Sequence, residues 1–143
     1  MIRLTRRYRF CASHRLHVAA MSDEENRMIY GKCNNPHGHG HNYVLEVSVA
    51  GDNASPDGIL APVPALDALV RSQVIEKFDH RSLNQEIPAF RAPGGAVPTT
   101  ENLAREIQRI LSERWHDAFP SSGARLDRIR LEETDNNYFE LRT

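Results

Sequence analysis

The residues with the greatest chemical reach crowd the first third of the chain, where His14, Cys33, His37, His39 and His41 fall between positions 14 and 41. Histidine is over-supplied, with seven in 143 residues. In His39-Gly40-His41 the imidazoles are two residues apart, so on an extended chain they point to one side and can share a metal. His14 lies on the apolar parity of residues 2–14, where Ile2, Leu4, Tyr8, Phe10 and Ala12 alternate with Arg3, Thr5, Arg7 and Arg9. Antiparallel pairing of that segment with the one containing His39 and His41 would supply a third nitrogen. Three neutral imidazoles with one vacant position make a Lewis-acid site rather than a closed structural one. The competing reading is a solvated loop beside a core histidine, and the convergence of three histidines weighs against it.

Cys33 sits six residues before His39 in the turn-rich stretch YGKCNNPHGHG. Its sulfur could serve as a fourth ligand, a nucleophile or a base, or could fill a small buried space. Asp79-His80 sets a carboxylate beside an imidazole. Such a pair can fix one tautomer and tune it for proton transfer, while the helix dipole alone also favours a histidine at a helix end. Glu133 shares the parity of Ile129 and Leu131, which turns a carboxylate inward. A buried carboxylate needs a partner, and the adjacent N–H groups of a 2-aminopyrimidinone edge would give it two parallel hydrogen bonds. Glu132 has the opposite parity. Cys11 has the parity opposite to His14, which assigns it a structural role, and both cysteines are expected to be reduced.

Periodicity supplies the elements that must position these groups. Residues 2–14 and 41–50 alternate as half-buried strands, with His41, Tyr43, Leu45, Val47 and Val49 on one face. Ser22-Asp23-Glu24-Glu25 has the form of a capping box and opens a short helix or loop. Residues 51–58 read as a loop. Residues 64–78 read as a helix begun by proline, with Leu66, Leu69, Val70 and Val74 inward and Asp79-His80 just past its end. After a proline- and glycine-rich loop over 87–98, Thr100 starts a second helix through Leu103, Ile107, Ile110, Leu111 and Trp115. Strands over 126–134 and 138–141 meet across Asp135-Asn136-Asn137. The order β-β-α-α-β-β predicts an α+β fold in one domain over 1–143, an antiparallel four-stranded sheet with both helices on one face. Lys and Arg total 18 against 19 Asp and Glu, so the net charge of −1 offers no footprint for nucleic acid or anionic lipid. No apolar run is long enough for a membrane span. The amino terminus lacks the apolar core of a signal peptide, so a cytoplasmic location is expected.

Six segments, FCASHRL, SDEEN, YGKCNNPHGHGHNY, FDHRSLN, PTTEN and EETDNN, follow one another from end to end of the chain. In kind and order they resemble the 6-pyruvoyl-tetrahydropterin synthase family. The resemblance implies the tunnelling fold (T-fold), in which three β-β-α-α-β-β subunits close a twelve-stranded barrel and two trimers stack into a homohexamer, covering the sheet edges. It implies zinc on His14, His39 and His41, and Cys33 as the catalytic thiol. Asp79 and His80 become a proton-relay pair that comes from a different subunit than the thiol. Glu133 becomes the anchor of the pterin ring, Thr99, Thr100 and Glu101 line the same pocket, and His37 falls outside the ligand set. The implied activity is a zinc-dependent carbon–oxygen lyase. It would take 7,8-dihydroneopterin triphosphate, release triphosphate and rearrange the side chain by internal redox to 6-pyruvoyl-tetrahydropterin. No nicotinamide is required, and Mg2+ accompanying the triphosphate is a further expectation. Zinc on the side-chain hydroxyls would acidify the neighbouring carbon. Cys33 would take that proton as thiolate, aided by the cation and Lys32, and His80 would return one. The C-x5-H-G-H spacing and the SDEEN loop favour this chemistry over the related 6-carboxy-tetrahydropterin synthases of queuosine synthesis. Cys33 disfavours folate-branch relatives that release 6-hydroxymethyl-dihydropterin with a glutamate near the thiol position. A pterin- or metal-binding module without turnover would need only the histidines and Glu133, so the presence of Cys33, Asp79 and His80 favours an enzyme.

Overall fold

Alternating apolar and polar residues along the first half of the chain build two long strands, β1 (Ile2–His14) and β2 (His39–Gly51). They pair antiparallel over their whole lengths, with Ile2 opposite Gly51 and His14 opposite His39. The structure, a computed structural model, describes residues 1–52 and 55–143. Residues 53 and 54, within the loop expected over 51–58, lie outside the described residues. Between β1 and β2 run α1 (Asp23–Tyr30) and a 3-10 turn (Gly31–Asn34). The capping box forms as expected: the Ser22 hydroxyl accepts from the Glu25 N–H at 3.1 Å and the Glu25 carboxylate accepts from the Ser22 N–H at 3.1 Å.

The helix expected over 64–78 is α2 (Val63–Val70), a wider π stretch (Arg71–Ile75) and the single turn α3 (Glu76–Phe78). The π stretch turns less per residue than an α-helix. It thereby keeps Val70, Val74 and Phe78 on one buried line. Next come β3 (Arg81–Ser82), α4 (Leu83–Glu86) and a 3-10 turn (Pro88–Phe90). The chain finishes with α5 (Thr100–Ala118), β4 (Arg125–Thr134) and β5 (Asn137–Arg142). Among the described residues the sheet has five strands in the order β3-β1-β2-β4-β5, not four. Its pairing is mixed because β3 runs parallel to β1. Two residues are too short to show periodicity; β3 forms because the His80 N–H donates to the Cys11 carbonyl at 2.6 Å and lays the chain against the edge of β1.

The helices lie on one face. Tyr43, Leu45, Val47, Ile129 and Leu131 of the sheet pack with Leu66, Val70, Val74, Leu103, Ile107 and Leu111 in one core. Each such side chain contributes about 1.5–3 kcal/mol of transfer free energy. The helix-free face is charged instead. The register aligns Arg7, Glu46, Arg130 and Glu140 across four strands. Glu46 is 9% exposed, with arginine nitrogens of Arg7, Arg128 and Arg130 at 3.4, 3.8 and 3.7 Å.

Candidate metal centre and active site

Register puts the three histidines together. His14 is opposite His39, and His41 follows two residues on along the same face of β2. Their Nε2 atoms form a triangle: 3.3 Å from His14 to His39, 3.1 Å from His14 to His41 and 3.0 Å from His39 to His41. Gly38 makes this approach passable. Its φ is +70°, and a Cβ there would meet the His14 carbonyl oxygen at 2.9 Å.

His14 is 1% exposed, and its Nδ1–H donates to the Pro98 carbonyl at 2.9 Å. A carbonyl can only accept, so this bond fixes the tautomer and leaves the Nε2 lone pair facing the other two rings. Burial is the largest influence on His14 and His41 and holds both below the ordinary imidazole range. Both are therefore neutral near pH 7, the form that ligates metals. A zinc ion with nitrogens at about 2.0–2.1 Å in tetrahedral array would place them roughly 3.3–3.4 Å apart. The observed triangle is close to that spacing, so the residues fit a metal.

The Cys33 sulfur completes the group: one donor atom each from His14, Cys33, His39 and His41 all lie within 4.8 Å of one another. Sequence neighbours bring it there. The Leu16 N–H donates to the Cys33 carbonyl at 2.8 Å, and the buried Asn34 amide donates to the Leu16 carbonyl at 2.7 Å and to His17 Nδ1 at 3.0 Å. Burial, followed by the charge of Glu133, pushes the thiol pKa up. Glu133 faces the same centre, its Oε1 3.5 Å from His41 Nε2 and 3.7 Å from His14 Nε2. It also borders a cavity of about 300 Å³ with His41, Asn42 and Asp135. Parity alone identified its inward face. A register shift between Glu132 and Thr134 in the β4–β5 pairing leaves Glu133 out of that ladder, a local irregularity with no sequence signature.

Other candidates stand apart. The Asp79 carboxylate accepts from the Cys11 N–H at 2.8 Å, and Asp79 Oδ2 is 3.6 Å from His80 Nε2. The His80 side chain is 82% exposed at the edge of β1, its residue held at φ 58°. Among the described residues no hydrogen bond joins this pair to Cys33 or the histidines. Cys11 thus serves through its backbone, which holds Asp79 and His80 from both sides. Thr99 spends its hydroxyl on capping α5 by accepting from the Asn102 N–H at 3.2 Å; Thr100 is buried, its hydroxyl without a partner, and Glu101 is exposed. It is the Pro98 carbonyl of the PTTEN segment that touches the centre, a backbone contact that side-chain reading misses. His37 is exposed and outside the ligand group. A cavity of about 1030 Å³ beside Phe78, Ile87 and Arg109 contains none of the candidate residues.

The chain is similar to known proteins in sequence and in fold. The family model described as 6-pyruvoyl tetrahydropterin synthase matches residues 3–143. The chain is 40% identical to the 6-pyruvoyl tetrahydrobiopterin synthase of Dictyostelium discoideum over 139 residues, spanning 97% of this chain and 94% of that protein. Identity to the Homo sapiens protein of that name is 37% over 134 residues, spanning 94% and 86%. The structure is similar to that of Caenorhabditis elegans 6-pyruvoyl tetrahydropterin synthase, with a TM-score of 0.86, 32% identity and coverage of 99% and 95%. On its sequence and its fold alike, the chain belongs to the 6-pyruvoyl tetrahydropterin synthase family.

Proposed function

We propose that the protein is a zinc-dependent carbon–oxygen lyase that converts 7,8-dihydroneopterin triphosphate to 6-pyruvoyl-tetrahydropterin with release of triphosphate. The observation that carries this reading is the triangle of imidazole nitrogens at 3.0–3.3 Å with the Cys33 sulfur beside it. His14, His39 and His41 would hold the metal, and neutral nitrogen donors with an open position suit zinc. When bound, the ion supplies positive charge that acidifies the substrate carbon next to its hydroxyls. Cys33 takes the carbon-bound proton. Burial and Glu133 oppose its ionisation, so the thiolate forms only where a cation and the substrate offset them. Glu133 offers acceptors to the amino and ring N–H groups of the pterin from the cavity it shares with His41.

Asp79 and His80 return a proton during tautomerisation, acting on the thiol site of a neighbouring subunit. Supporting that division, His80 is exposed at a strand edge, and no hydrogen bond among the described residues joins it to its own chain's centre. The two-residue β3 pairs only with Ala12 and Ser13, so among the described residues 2–10 of β1 have no strand partner on that side, and β5 is the opposite edge of the sheet. Unpaired edges of this length are usually covered, and a ring of subunits within a homohexamer covers them. Among the described residues no helix is long and apolar enough to cross a membrane, and both cysteines are free, in keeping with a cytoplasmic enzyme.

Mass spectrometry of the products formed from 7,8-dihydroneopterin triphosphate by zinc-loaded protein tests the reading. The 6-pyruvoyl product with one equivalent of triphosphate is expected. A 6-carboxy or 6-hydroxymethyl product would overturn the assignment of the reaction, and tight pterin binding with no product would identify a binding module.

A further inference from the structure

A second, smaller cavity of about 290 Å³ is bordered by Arg15, Arg27, Lys32, Asn34 and Asn35, with Asp23 the one acid on its wall. Three cations against one carboxylate leave a surplus of positive charge. Arg27 and Lys32 have no salt bridge or side-chain hydrogen bond among the described residues. Arg15 is the oriented member, its Nε–H donating to the Asn34 carbonyl at 3.3 Å, which leaves the ends of its guanidinium fork free.

The cavity adjoins the reactive centre through the chain itself. Arg15 follows His14, and Lys32 and Asn34 flank Cys33. The bond from the Leu16 N–H to the Cys33 carbonyl ties the two walls together. Consecutive Cα atoms are about 3.8 Å apart, so the wall begins one residue from both a candidate ligand and the thiol. A single carboxylate would leave most of this charge uncompensated, and the space is at the lower limit for a small-molecule site. A flexible chain of linked phosphates matches both the charge and the volume.

We propose that Arg15, Arg27 and Lys32 form a polyphosphate subsite that holds the triphosphate of the substrate while its pterin end meets Glu133 and the metal centre. This rests on the reaction proposed above. The test is calorimetry on zinc-loaded protein with two probes, inorganic triphosphate and sepiapterin, a pterin without phosphate. Arg27 and Lys32 are exposed, so the double variant Arg27→Ala, Lys32→Ala should fold, which a melting curve checks. Its affinity for triphosphate should fall about 10- to 100-fold, the usual consequence of removing charge-assisted contacts, with sepiapterin affinity unchanged. Arg114→Ala, on α5 away from the cavity, should alter neither. Unchanged triphosphate affinity in the double variant would place the anion on the metal and overturn the subsite, and so would equal losses for both probes. If instead the double variant discriminates between the probes but the wild type makes no pyruvoyl product, the subsite stands and the proposed reaction fails.

Discussion

His14 carries two loads with one ring, since Nδ1 is committed to the Pro98 carbonyl and Nε2 to the candidate metal centre. His39 and His41 are less enclosed, so the three candidate ligands should fail differently. His39→Ala is expected to lose zinc by elemental analysis while melting much like metal-free wild type. His14→Ala should lose zinc and also about 2–3 kcal/mol of stability, because it leaves a void and an unpaired buried carbonyl; equal melting of the two metal-free variants would refute this distinction. The cysteines separate as cleanly. Cys33→Ala should keep zinc and lower turnover by about 10²- to 10⁴-fold, the usual contribution of a positioned acid or base. Cys11→Ala should be nearly silent in a steady-state assay, because Cys11 holds Asp79 and His80 through backbone atoms that alanine retains.

The elements differ in how openly the sequence announces them. β1, β2 and β4 were legible because an apolar face turned to the core imposes alternation over much of their length, and the meeting of His14, His39 and His41 followed from two-residue spacing plus antiparallel pairing. β3 was not legible, since a two-residue strand exists only through a contact between Cys11 and His80, far apart in the chain. The π stretch leaves the apolar positions of its helix unchanged and so gave no signal. Neither did the Pro98 carbonyl, for a backbone atom has no residue type to read. The segment carrying Cys33 looked like mere turn, yet Asn34 organises it by donating to Leu16 and His17 from a buried position. Asn34→Ala should cost about 1–3 kcal/mol, a melting decrease of roughly 2–4 °C per kcal/mol for a chain of this size. Alkylation of Cys33 should also accelerate, and unchanged labelling would mean that other contacts position the thiol.

At the scale of the whole molecule, the separation of His80 from its own chain's thiol calls for complementation between subunits. Cys33→Ala and His80→Ala should each be inactive alone; unfolded and refolded together, they should regain activity in the fraction of sites that combine an intact thiol with an intact histidine. No recovery would place both groups in one chain. The register that sets His14 opposite His39 has another effect. A metal there is a clasp at the mouth of the connection formed by residues 15–38, which includes α1 and Cys33. The β1–β2 hydrogen bonds close that mouth without the metal, so its removal leaves the strands zipped and releases only the loop's freedom to fluctuate. Hydrogen exchange after chelation should therefore rise over 15–38 with little change in β2 or α5, and uniform acceleration would contradict the clasp. Conformational entropy then becomes a metal gauge, in which the chain orders its reactive thiol only in subunits already loaded to use it.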